Sequence, residues 1–403
     1  MPSSSEIRAS LDWLINPIGR EKFFAEYWEK QPLAVRRDQR DYFGSLLSLD
    51  DVDQVITTLN LTYPQITLKN ADKEVTAADY TARNGALDVA SVYQLFNEGS
   101  SIVLAFLDTV LPSLTSLCRS LEKELCFPLQ ANVYLTPAGA KGAKYHYDTH
   151  DVFVLQISGS KRWTMYGTPV ELPLSNQDFD PRVHKQGAPT MEFELEPGDV
   201  AYVPRGLVHD ARSSDEVSLH ITLGILCYRW VDLLLELVAD EALNNSAFRK
   251  SLPVGFAREN FDSGTAQQIL RDLLHRLVAN SNLEPVLDRF TEQWISACQP
   301  LLRGQMDQIA LLNQLKIDSV VGSRVEAVSR VVAEGESAAI YAFGRKISFP
   351  AYAAEAVQVA LRKTRFRVYE LPGDLDNEGK LVLIRRLILE GLVKTLEVED
   401  VVR

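Results

Sequence analysis

The sequence predicts a mainly β protein with helices: a double-sheet jelly roll or barrel, then a helical region, then a winged-helix-like C-terminal segment. Three observations carry that prediction. From Gln130 to Tyr228 the chain becomes a series of short extended runs separated by Pro, Gly, Asn and Asp, the spacing of strands and turns found in double-sheet or closed β architectures. After Tyr228 apolar residues recur at helical intervals over 230–243, 266–279 and 283–298. From about Ile309 helices alternate with short extended pieces, and a last helix stops at Gly391 before a terminal strand. At 403 residues the chain exceeds one ordinary core. The boundaries are therefore placed at 1–228 for the β domain with its N-terminal helices, 229–308 for the helical region and 309–403 for the winged-helix-like domain.

Taken in order, Leu11 to Ile15 is an apolar patch in a helix, and Gly19 to Trp28 sets aromatics at helical spacing. The chain turns at Pro32 into a short strand. Asp41 to Leu59 predicts two short helices, the second opened by Asp50 and Asp51, whose carboxylates suit the positive N-terminal end. A strand near Ile66 to Leu68 and polar loops follow, then helices over 92–98 and 107–125. The strands of the β region fall near 131–135, 152–158, 162–166, 191–195, 200–203 and 217–225.

Composition narrows the function classes. Hydrophobic content of 46% with 24% charged residues describes a folded, soluble chain. A net charge of −12 argues against wholesale nucleic-acid binding. From Ile309 onward 14 Lys plus Arg face 13 Asp plus Glu, so no DNA-binding surface is expected there despite the basic run Arg362 to Arg367. No stretch is long and apolar enough for a membrane span, and the first residues lack a basic-then-apolar leader pattern. Four cysteines without metal-type spacing read as buried small hydrophobes in a reducing compartment, so the expected location is cytoplasmic.

Chemistry concentrates between Lys144 and Trp163 and in Glu196-Pro-Gly-Asp-Val-Ala-Tyr-Val-Pro-Arg-Gly-Leu-Val-His209. His146 and Asp148 are two residues apart ahead of the apolar run Val152 to Ile157, and in extended backbone residues i and i+2 share a face. Both can point at one metal ion. His209, reached through a turn, a strand and the corner at Pro204 and Gly206, is the third candidate ligand. Two histidines and one carboxylate with open positions opposite form the facial triad of non-haem Fe(II) oxygenases. The register is open at this level, because Asp148 and His150 have the same spacing. A lone His-x-Asp is also common by chance. Of the other histidines, His184 reads as a loop residue, His275 as a helix-surface residue and His220 as a satisfied inward histidine on an alternating strand.

With these residues assembled, the chain resembles the JmjC-type ribosomal oxygenases, cupin-like Fe(II)/2-oxoglutarate-dependent hydroxylases of ribosomal proteins. The resemblance rests on Phe24-Ala-Glu-Tyr-Trp-Glu-Lys-Gln-Pro-Leu33, Asn132-Val-Tyr134, His146-Tyr-Asp148, Val152-Phe-Val-Leu-Gln156 and Ser218-Leu-His-Ile-Thr222. It implies a JmjC-type double-stranded β-helix, a helical dimerisation region and a winged-helix domain, in that order. It also implies that His146, Asp148 and His209 are the metal ligands, with His150 outside the triad.

The family's pattern further implies that Lys161 pairs with the far carboxylate of 2-oxoglutarate and that Asn132 and Tyr134 line the same pocket, leaving Arg162 to point outward. Two positions depart from it. Ala143 stands where several relatives carry a hydroxyl residue, and Gly224 where a serine is often seen, so Thr222 or a water is expected to substitute. The expected cofactors are Fe(II), 2-oxoglutarate and O2. The expected partners are a basic polypeptide, in the family an Arg or His of a ribosomal protein, and a second copy of the chain through apolar helical faces that include Leu233, Leu234 and Leu237. The competing readings are a zinc site, a catalytically silent cupin, and the same chemistry on a small molecule or peptide natural product.

Overall fold

A computed structural model describes residues 10–298, 302–324 and 327–396. The chain divides into two compact units, with the break between Cys227 and Tyr228.

The first unit opens with α1 (Leu11–Ile15), capped by Ser10, whose Oγ accepts from the Trp13 amide at 3.1 Å. A short α2 (Arg20–Lys22) runs into a five-residue π-helical turn, Phe23–Tyr27, that buries Phe23. Only one helix, α3 (Leu49–Thr58), forms where two were expected between Asp41 and Leu59. The difference is local: Ser48 and Asp51 close a capping box that starts α3 cleanly, and the residues before it stay in turns. α4 is Val89–Asn97. The helix expected over 107–125 is split into a 3-10 turn at Leu107–Thr109 and α5 (Pro112–Leu125), because proline fits a helix's first position and not its interior.

Ten strands follow one another as β1 (Leu33–Val35), β2 (Ile66–Lys69), β3 (Ser101–Leu104), β4 (Leu129–Thr136), β5 (Asp151–Ser158), β6 (Lys161–Met165), β7 (Met191–Leu195), β8 (Val200–Val203), β9 (His209–Ser213) and β10 (Ser218–Ile225). They form a seven-stranded sheet in the order β1-β8-β5-β10-β4-β3-β2 and a three-stranded sheet β7-β6-β9, with antiparallel pairing throughout. β3 and β9 were not anticipated. β3 is only four residues long, and β9 begins with a histidine and an aspartate, so pairing with distant strands makes both.

The large sheet is buried on both sides. Phe153, Leu155 and Ile157 of β5 join Leu219, Ile221, Leu223 and Ile225 of β10 in the core shared with α1, α3 and α5. Val152 and Val154 face the other way, onto Trp163, Met165, Phe193 and Leu195 of the small sheet. That is why Val152 to Leu155 of β5 are apolar without alternation. Register on β10 is strongly fixed, since a one-residue slip would expose four aliphatics worth roughly 1.5–3 kcal/mol each and bury polar groups in their place.

The second unit contains α6 (Trp230–Asn244), α7 (Gly264–Asn280), α8 (Leu283–Ala297) and α9 (Gln305–Ala310). Beyond them lie α10 (Ala354–Arg362) and α11 (Asn377–Leu389), with two three-stranded sheets. One sheet is the meander β12 (Ser329–Glu334), β13 (Ser337–Ala342) and β14 (Arg345–Pro350), and the other joins β15 (Phe366–Arg367), β11 (Val320–Ser323) and β16 (Val393–Thr395). Val357, Ile384, Leu387 and Ile388 pack with Val321, Ile340 and Phe366 in its core. Of the apolar residues expected to be exposed on α6, Leu234 is exposed while Leu233 and Leu237 are half-buried.

Candidate functional site

The site lies between the two sheets, on the inward faces of β4, β5, β6 and β10. His146 and Asp148 sit in extended chain just ahead of β5, not within it. The two-residue periodicity still holds there. The intervening Tyr147 is buried in the opposite direction, its hydroxyl donating to the Gln177 carbonyl at 2.9 Å. His209 opens β9, and the two histidines exchange backbone hydrogen bonds, His146 amide to His209 carbonyl at 3.0 Å and the reverse at 2.8 Å.

This clasp brings the side chains together. Nε2 of His146 is 3.9 Å from one Asp148 oxygen and Nε2 of His209 is 3.8 Å from the other, and the donor atoms of all three residues lie within 4.8 Å of one another. His146 Nδ1 bonds the Lys144 carbonyl at 2.9 Å and His209 Nδ1 bonds the Leu207 carbonyl at 3.0 Å. A carbonyl only accepts, so both Nδ1 atoms carry the proton and both Nε2 lone pairs face Asp148. This is the outer-shell arrangement that orients metal-binding imidazoles. Burial pushes the Asp148 carboxyl upward, but His146, His209, His150 and Lys69 outweigh it and the net shift is down. Burial, reinforced by His146, holds His209 below the ordinary imidazole value. Both shifts favour the protonation states a metal requires.

The remaining histidines sort differently. His150 stands outside the group of three and packs over Gly224, where an added Cβ would come within 2.7 Å of its ring. The glycine that replaces the expected serine is thus accounted for by His150. His184 stacks near Tyr147 and Phe179, and His275 is exposed on α7. His220 corrects the expectation of a satisfied core histidine. It is buried and stacked on Tyr134 with ring centroids 4.9 Å apart, but its Nδ1 has no partner among the described residues.

These side chains open into a cavity that is also lined by Tyr134, Ala143, Lys161 and Thr222. Lys161 begins β6 and points inward, while Arg162 points out to Glu194. The Lys161 ammonium is 4% exposed and donates to Thr136 Oγ1 at 2.9 Å. No carboxylate among the described residues pairs with it, and burial lowers its pKa to about 7. Burial also holds the Tyr134 phenol well above its usual value. Asn132 is a correction: it shares the face of Tyr134 but does not line the cavity, because its Oδ1 accepts from the Phe106 amide and from Gln130 Nε2.

Ser101, Thr136 and Trp163 were not singled out from the sequence. Ser101 Oγ donates to Thr136 Oγ1 at 2.9 Å, so a hydroxyl pair supports Lys161 beside Ala143, which has no hydroxyl of its own. Gly142 lets its loop approach this pair, since a Cβ there would meet Ser101 Oγ at 2.2 Å. Alternation along β6 could have found Trp163, which is two residues from Lys161 and on the same face. Ser101 lay on an unanticipated strand and gave no such signal.

Residues 109–233 match the model of the JmjC domain. Among curated proteins, the chain is 28% identical over 391 residues to the bifunctional lysine-specific demethylase and histidyl-hydroxylase NO66 of Drosophila willistoni, covering 91% of this chain and 49% of that protein. It is 32% identical over 297 residues to the protein of the same name from Drosophila sechellia, covering 69% and 44%. The chain spans about half the length of these relatives, or less. Among solved structures, its fold resembles Escherichia coli YcfD at a TM-score of 0.53 and 17% identity, covering 93% of this chain and 97% of that one. The structure of YcfD, a ribosomal oxygenase from Escherichia coli, in complex with cobalt and 2-oxoglutarate matches at a TM-score of 0.52 and 16% identity, with the same coverage. The match over 109–233 and the likeness of fold give the chain a JmjC domain in a mainly β, cupin-like core, similar in sequence to part of the NO66 proteins and in fold to YcfD.

Proposed function

We propose that the chain is an Fe(II)- and 2-oxoglutarate-dependent oxygenase that hydroxylates an arginine or histidine side chain of a ribosomal protein. The observation that carries this reading is the His146, Asp148, His209 cluster, with both imidazoles oriented by backbone carbonyls. Two imidazoles and a carboxylate on one side suit Fe(II) with exchangeable positions opposite. The cavity fits an anionic cosubstrate as well. Buried polar groups are normally paired, yet among the described residues the Lys161 ammonium has a hydroxyl partner and no carboxylate, and Trp163 Nε1 and His220 Nδ1 have none.

When bound, Fe(II) and 2-oxoglutarate supply the oxidation: O2 is consumed, 2-oxoglutarate leaves as succinate and carbon dioxide, and one oxygen atom enters a C–H bond. The residues of the chain do the rest. His146, Asp148 and His209 hold the metal, Lys161 meets the far carboxylate, Thr136 and Ser101 keep that lysine pointed inward, and Tyr134 and Thr222 wall the pocket against water.

Three broader assignments belong to the same proposal. The chain forms a homodimer, supported by the exposed Trp230, Leu235 and Val278 of α6 and α7; a one-chain mass by light scattering at micromolar concentration would exclude it. Residues 309–403 form a winged-helix-like domain after a helical dimerisation region at 229–308, supported by α10, α11 and the meander β12 to β14. The location is cytoplasmic, supported by the unbridged Cys118 and Cys126; fractionation would test it. No described helix is long and apolar enough to cross a membrane. The deciding experiment is peptide mass spectrometry of ribosomal proteins from cells with and without the protein. A gain of about one oxygen on a single peptide, dependent on 2-oxoglutarate and lost in His209→Ala, is the expected outcome. Unmodified ribosomal peptides together with an oxidised metabolite would keep the chemistry and discard the substrate.

A further inference from the structure

Outside the cavity, one buried polar cluster joins three distant parts of the first unit. Asp151, the first residue of β5, is completely buried and receives Arg205 Nη1 at 2.5 Å and the Tyr202 hydroxyl at 2.6 Å. The other arm of Arg205 reaches Glu29 at 2.6 Å, and the Glu29 amide donates to the Tyr202 hydroxyl at 2.8 Å. The four residues thus close a ring: Glu29 to Tyr202, Tyr202 to Asp151, Asp151 to Arg205, and Arg205 back to Glu29. Glu29 holds a left-handed backbone with φ of 56° to take part, a conformation that non-glycine residues seldom adopt.

The ring sits where the two ligand segments meet. Asp151 follows Asp148 by three residues, and Arg205 precedes His209 by four. Between them Gly206 donates its amide to the Asp148 carbonyl at 3.0 Å. Stability alone is a poor reason for such a cluster, because the desolvation of a buried ion pair largely cancels its attraction. Directional bonds from a planar guanidinium do fix where one segment lies against another. We infer that Arg205, braced by Glu29 from the N-terminal arm, is a positioning residue that sets the separation between the His146/Asp148 segment and His209, and with it metal affinity. This rests on the metal reading of those three residues.

The test uses the full chain and Co(II), titrated by its d–d absorption, beside thermal melts. Arg205→Met should weaken Co(II) binding by roughly tenfold or more, the scale of outer-shell losses, and alter the d–d bands. Glu29→Gln should shift both in the same direction by less, and Arg205→Lys should recover most of the loss. Leu117→Ala, which opens a cavity in the core of the same unit, should lower the melting temperature with Co(II) affinity and spectrum unchanged. The inference is overturned if Arg205→Met and Glu29→Gln bind Co(II) like the wild type, or if Leu117→Ala weakens it as much. Should Arg205→Met fail to fold, Glu29→Gln decides, its carboxylate being a third exposed. Failure of the metal reading looks different: His209→Ala would then bind Co(II) as tightly as the wild type, whatever Arg205 does.

Discussion

The two faces of β10 obey different rules within eight residues. Leu219, Ile221, Leu223 and Ile225 pack in an apolar core, each gaining roughly 1.5–3 kcal/mol from burial. One residue out of step, His220 and Thr222 face the cavity, and His220 keeps a ring nitrogen without a partner among the described residues, an arrangement that costs on the order of 1–3 kcal/mol. The outer face can carry the inner one. The contrast shows where the molecule leaves stabilisation incomplete, and those are the groups a ligand can complete.

The largest break in this comparison should come from the metal group. His209→Ala or Asp148→Ala should abolish iron binding and turnover, whereas His150→Ala should retain substantial activity, measured by iron titration and succinate release. Loss of iron in His150→Ala with retention in His146→Ala would put the ligand register elsewhere. Next, Lys161→Ala should weaken 2-oxoglutarate binding by roughly thirty-fold or more, the equivalent of about 2–5 kcal/mol for a truncated buried charge partner. Its melting temperature should not fall, because the free protein buries that ammonium without an anion among the described residues. Unchanged affinity by calorimetry would remove Lys161 from the pocket.

On the outer face, Ile221→Ala should cost about 2–5 kcal/mol of stability and leave 2-oxoglutarate affinity nearly intact at temperatures well below the melt. A matched loss of affinity would mean the two faces are not separable. The smallest effect is the pH dependence of Lys161, whose pKa lies at about 7 against an ordinary 10.5. Between those values the unfolded chain binds the extra proton, so this group's contribution to stability rises with pH. Cosubstrate affinity should move oppositely, falling above about pH 7 as the lysine neutralises, with proton uptake on binding. A flat affinity between pH 6.5 and 8.5, a range chosen to span roughly that value, would show that the carboxylate is met by another group.

Much of this was legible in the sequence where periodicity or punctuation speaks locally. The β5 run, the spans of β7 and β8, the helices after Trp230 and the stop at Gly391 all follow from neighbours in the chain. His146, Asp148 and His209 were legible as residue types, but their register came from the family pattern, since spacing alone allowed His150. What stayed hidden depends on partners far along the chain. β3 exists because β4 and β2 flank it, and the Ser101–Thr136 pair spans thirty-five residues. Asn132 shared the right face and still missed the cavity, because face assignment says nothing about which neighbour claims a side chain. The acidic overall charge likewise averages over a surface whose mouth carries Lys69 and Lys144.

The reciprocal backbone bonds between His146 and His209 have a thermodynamic consequence. Because the two strands of chain hold one another through their own amides, the chelate ring is gathered during folding rather than at ion capture. The entropy of bringing ligands together from sixty-three positions apart is charged to the polypeptide, and the incoming ion meets a cup already shaped. A small zinc module that collapses without its ion works the other way. On the metal reading proposed above, the ion is exchangeable while the fold around it stays whole.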